Sequence, residues 1–183
     1  MKILLAAGIA LASLIQPSRP VFPGCEAITK LTNQYKLQDG SLKGEQSFTL
    51  NTLFYDTIAY FECPVLIEGA VHAFVTGPEN GSEVYWVEQV MGAGLQKEEA
   101  LQLFSSLSES YRKCYPDATS EMDLTPESQD DLDIWAKWAF TEADGTYCDL
   151  WLYADFDAMF EDMLQDPESK ATFFQVVLII GRE

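Results

Sequence analysis

The chain has 183 residues, of which 48% are hydrophobic and 13% aromatic, enough apolar material for one buried core and too much for an intrinsically disordered chain. Its 29 acidic residues outnumber 11 basic ones, for a formal net charge of −18. A surface of that sign repels phosphate backbones and anionic lipid, so nucleic acid and bare membrane are excluded as partners.

Met1 and Lys2 precede an apolar run from Ile3 to Ile15, which ends at Gln16, Pro17, Ser18, Arg19 and Pro20. That run is 13 residues long, short of the roughly 20 a membrane-spanning helix needs. With a basic start and the small residues Ala10 and Ala12 in an A-x-A arrangement, residues 1–20 read as a signal peptide and short leader. Residues 21–183 then form a single exported domain, secreted or periplasmic, with no membrane insertion after signal cleavage. Gly24-Cys25 is not read as a lipidation site, because the polar, proline-broken stretch separates it from the apolar run.

Pro23 and Gly24 open a helix predicted to run to Lys36, with Cys25, Ile28, Leu31, Thr32 and Tyr35 on one face. From Gln46 the period falls to two, first over Phe48, Leu50, Thr52 and Phe54, then over Ala59, Phe61, Cys63 and Val65. Residues 71–75 and 84–87 read as a hairpin around Gly77-Pro78-Glu79-Asn80-Gly81, and Gly92-Ala93-Gly94 as the end of that sheet portion. Lys97 to about Tyr115 is the strongest helix, stopped by Pro116. The acidic stretch from Asp117 to Asp131 reads as an exposed linker. Strands follow on either side of an Asp144-Gly145 turn, then a short helix from Phe156 to Leu164 and a last apolar strand from Phe173 to Ile180. The expected fold is α+β: an antiparallel sheet of five to six strands with two main helices packed on one face, in the order α-β-β-β-α-β-β-β. Strand alternation leaves the other face partly solvated.

Cys25, Cys63, Cys114 and Cys148 are even in number and lie in the exported part, which points to two disulfides. Four cysteines permit three connectivities; helix and strand patterning favours Cys25–Cys63 and Cys114–Cys148. Zinc is disfavoured by the wide spacing of the cysteines and by a single histidine, His72.

No nucleophile elbow, zinc-hydrolase motif or glycine-rich phosphate loop occurs, so no catalytic residue, metal ligand or cofactor is assigned. Asp149, Asp155, Asp157, Glu161 and Asp162 cluster in sequence near Trp151 and Tyr153, but Asp155 to Asp162 lacks the glycine and closing glutamate of a calcium loop. Between Lys113 and Lys170 there are sixteen acids and one base, Lys137. Trp135, Trp151, Tyr153, Asp155 and Asp157 are therefore the candidate partner-binding surface, aromatic with acidic neighbours. The expected function is that of a non-catalytic binding or accessory module for a basic protein or peptide. The alternative is a small extracytoplasmic hydrolase using carboxylates or the single histidine.

Overall fold

The structure is a computed structural model and describes residues 24–50, 58–122, 134–166 and 172–182. The expected signal and leader, residues 1–20, and residues 123–131 of the acidic linker lie outside the described residues.

Helix α1 spans Cys25–Leu37, with Glu26 in its first turn and Lys36 in its last to complement the helix dipole. It ends on Gln38, a non-glycine residue at φ 52°. Three hydrogen bonds hold that left-handed cap: its N–H donates to the Tyr35 carbonyl at 3.2 Å, its Nε2 donates to the Val84 carbonyl at 3.0 Å, and its Oε1 accepts from the Val84 N–H at 2.7 Å. Helix α2, Lys97–Cys114, starts with a capping box between Gln96 and Glu99 and buries Ala100, Phe104, Leu107 and Tyr111 along one stripe. The short helix α3 covers Phe156–Gln165.

The strands are β1 Gln46–Leu50, β2 Ile58–Glu62, β3 His72–Pro78, β4 Trp86–Leu95, β5 Thr119–Met122, β6 Ile134–Thr141, β7 Thr146–Ala154 and β8 Phe174–Arg182. They form one antiparallel sheet in the order β1-β2-β3-β4-β8-β7-β6-β5. The first half of the chain supplies α1 and four strands and the second α2, α3 and four strands, and the halves meet where β4 pairs with β8.

The expected sheet of five to six strands with two main helices is thus corrected to eight strands with three helices among the described residues. One local effect hides a strand and a second moves the end of another. Strand β5 is a four-residue edge strand of Thr, Ser, Glu and Met inside an acid-rich stretch, and an edge strand needs no apolar alternation to pair. Strand β4 does not stop at its glycines. Register shifts between Val90 and Gly92 and between Gly92 and Leu95 carry it through Gly92, over which the side chains of Leu95 and Leu103 close.

Ile28, Leu31 and Tyr35 of α1 and the buried stripe of α2 share one core with Val75, Val87, Leu150, Leu152, Val176, Leu178 and Ile180 of the sheet. The opposite face carries a second apolar cluster of Val90, Val177 and Ile179. Strand β8 is buried on both sides, which accounts for its nearly continuous apolar sequence.

One disulfide is present, Cys25–Cys114, joining the first residue of α1 to the last of α2. The expected pairs Cys25–Cys63 and Cys114–Cys148 do not form; Cys63 and Cys148 are free and buried. The two helices touch, and the start of α1 lies against the end of α2 with the cysteine Cα atoms 5.2 Å apart. Cys63 instead donates its thiol to the Val65 carbonyl at 3.4 Å, and Cys148 sits on β7, where Tyr111 donates to its carbonyl. The disulfide marks a protein that folds in an oxidising space. Among the described residues no helix is long and apolar enough to cross a membrane.

Candidate functional site

The second sheet face is built by alternation on its central strands. On β4, Val87 and Gln89 point to the helix side, which sends Trp86, Glu88 and Val90 the other way. Pairing sets Trp86 beside Gly181 and Tyr147, Glu88 beside Ile179, and Val90 beside Val177 and Trp151. Gly181 has no side chain for a reason: a Cβ there would collide with the ring and hydroxyl of Tyr147, which lies across it. Tyr147 thus leans over β8 toward Trp86, a bulky ring filling the space a glycine leaves.

The result is a half-open hollow of about 430 Å³ lined by Tyr60, Trp86, Glu88, Tyr147, Trp151, Tyr153 and Ile179. Five of its seven lining side chains are aromatic and one is a carboxylate. Trp86 and Tyr147 are shared with a neighbouring depression that reaches Glu83, Tyr85 and Arg182, so the hollow continues along the sheet.

The electrostatics centre on Glu88. Burial pushes its carboxyl above the usual carboxylate range, and a hydrogen bond donated by the Trp86 indole at 2.6 Å works in the opposite direction. Among the described residues no Lys or Arg forms an ion pair with Glu88. The Tyr60 phenol is also pushed up, first by burial and then by the Glu88 charge.

Asp149, 3% exposed, is a buried neighbour in the same row. Its oxygens accept from the Phe140 N–H at 3.3 Å and the Trp151 indole at 3.2 Å, and Oδ2 pairs with Lys137 Nζ at 3.0 Å. The Lys137 ammonium in turn lies 5.0 Å from the Trp151 ring centroid. Asp149 therefore positions Trp151 and a cation against it.

The residues expected to form a partner surface separate. Trp151 and Tyr153 line the hollow. Trp135 lies with the helix-side core, edge-on to Phe174 at 4.8 Å and beneath Lys97 at 4.8 Å, because the register shifts between Ile134 and Ala136. Asp155 is 5% exposed and caps α3, accepting from the Ala158 N–H at 3.1 Å and, from β4, the Gly94 N–H at 2.7 Å. The side chain of Asp157 lies outside the described residues. His72 is exposed on β3, its ring stacked near Phe74 at 6.3 Å.

Glu88, Tyr60 and Ile179 belong to the site without having been singled out from the sequence. The available signal was the Trp86-x-Glu88-x-Val90 alternation, which places an acid between two apolar residues of one strand face. Among the described residues no group of three or more His, Cys, Asp or Glu side chains could hold a metal ion. Compared with known proteins, the chain matches no family model, no curated protein and no solved structure.

Proposed function

We propose that this protein is an exported, secreted or periplasmic, binding or accessory module that receives a basic protein or peptide on the aromatic face of its sheet, without catalysis. One observation carries the reading: a half-buried carboxylate, Glu88, stands inside an aromatic hollow and no cation among the described residues is paired with it. Aromatic faces attract cations through their quadrupole, and a desolvated carboxylate is relieved by an opposite charge. The net charge of −18 would steer a basic partner to the surface. Extension of the hollow past Trp86 and Tyr147 toward Glu83 suits an extended peptide. The hydrolase alternative has less support, since all the described contacts of Asp149 serve to position its neighbours and His72 stands exposed on β3.

The test is a tryptophan fluorescence titration with a hexalysine and a hexaarginine peptide. Saturable quenching by at least one of them is expected, weaker in molar salt and lost in Trp151→Ala. A flat titration with both peptides, or quenching indifferent to that substitution, overturns the reading.

A further inference from the structure

We propose that the hollow is a receptor for one arginine side chain of the partner, whose guanidinium stacks on the aromatic rings around Trp86 and Trp151 and donates to the Glu88 carboxylate. This rests on the reading of the face as a site for a basic partner and names the group it takes. Three features select a guanidinium. First, apart from Glu88 the hollow is lined by five aromatic side chains and Ile179, so an entering cation must shed water; a guanidinium is weakly hydrated and planar, whereas an ammonium is compact and strongly hydrated. Second, Oε1 of Glu88 is already held by the Trp86 indole at 2.6 Å, which fixes the carboxylate and leaves its other oxygen to accept a charge-assisted hydrogen bond. Third, both indole N–H donors of the lining are spent inside the protein, that of Trp86 on Glu88 and that of Trp151 on Asp149. An anion, repelled by the Glu88 carboxylate, finds less here than a cation does. The protein already sets one cation of its own, Lys137, against Trp151 at the side of this face, held by Asp149.

The proposal is tested on the whole chain with three capped amino acids, N-acetyl amides of arginine, lysine and citrulline, following the indole N–H resonances of Trp86 and Trp151. Arginine is expected to shift both resonances. Lysine should bind about tenfold more weakly, the worth of roughly one charge-assisted hydrogen bond. Citrulline, nearly isosteric and uncharged, should leave them unmoved. Glu88→Gln is expected to weaken arginine about tenfold or more on the same grounds. Equal affinity for lysine or citrulline in the wild-type protein overturns the arginine assignment, whether or not the variant folds. If hexalysine binds with sensitivity to Trp151→Ala while capped arginine shows no preference, the arginine assignment falls and the basic-partner reading stands. If neither basic peptide nor capped arginine reaches the indoles, both fall.

Discussion

Trp86 donates its indole N–H to Oε1 of Glu88 across 2.6 Å, two residues apart on one face of β4. That bond favours the ionised carboxylate, yet burial outweighs it and the Glu88 carboxyl is held above the usual range. The sign follows from linkage. A carboxyl that binds its proton more tightly in the folded protein than in the unfolded chain stabilises the fold only while protonated. The contribution is present below the ordinary carboxylate range and is lost as pH rises through the folded value. Glu88→Gln, which keeps an oxygen to accept from Trp86, should therefore melt higher than the wild type at about pH 7.5, with the difference closing toward about pH 3.5, below the usual glutamate value. Thermal melts at both pH values check this; a variant less stable than the wild type at neutral pH would sink the idea that Glu88 is retained at a cost to stability.

Cation binding should run with pH in the opposite sense to that stability contribution. The hollow attracts a cation most strongly once Glu88 is ionised, so affinity for capped arginine should climb as pH rises through its elevated value and then level off. The surrounding elements face Glu88 with Tyr60 from β2, Phe74 from β3, Ile179 from β8 and Tyr147, Trp151 and Tyr153 from β7. Charged groups farther along the same row are Glu62 on β2 and Asp149 on β7, the latter already paired with Lys137. Calorimetric titrations between about pH 5 and 8 read the curve; a profile that survives Glu88→Gln would assign it to another group.

Gly181→Ala probes the wall of the hollow without touching a charge. A methyl group at that position collides with Tyr147, whose ring must swing off β8 and away from Trp86. Overpacking of this kind costs about 1–3 kcal/mol. The expected outcome is a protein that still folds, with a lower denaturation midpoint and altered tryptophan emission. Unchanged stability and emission would mean that Tyr147 does not depend on Gly181 for its place.

What was legible in the sequence was local. The faces of α1 and α2 follow from helical spacing, so Ile28, Leu31, Tyr35, Ala100, Phe104, Leu107 and Tyr111 are buried as their periodicity requires. Trp151 and Tyr153 share a face with Tyr147 by the alternation of β7 alone. What stayed hidden depends on partners distant along the chain. Glu88 looks like a solvent-facing charge until β8 and β7 bring Ile179 and the aromatic rings beside it. Trp135 was displaced by a register shift, which no alternation pattern announces. The cysteine pairing is set by how two helices lie against each other, while each cysteine's own periodicity says only that it points inward.

Cys25–Cys114 closes a long stretch of chain, with a sequence separation of 89, and ties α1 to α2 while Cys63 and Cys148 remain thiols. Constraining so long a loop should contribute about 2–4 kcal/mol. Cys25→Ser with Cys114→Ser is accordingly expected to lower the unfolding free energy by that amount in denaturant titrations. The remaining thiols should be inert in the native state. Burial pushes the Cys148 thiol up to about 12 and raises that of Cys63 as well, so little thiolate forms at either site at neutral pH. Titration with a chromogenic disulfide reagent at about pH 8, just below the free cysteine value, should find no fast thiol in the folded wild-type protein. Two should appear on unfolding without reductant, and four after reduction, matching the four cysteines of the chain. No thiols on unfolding would reveal a second disulfide and refute the pairing; a fast thiol in the native protein would place Cys63 or Cys148 at an accessible surface.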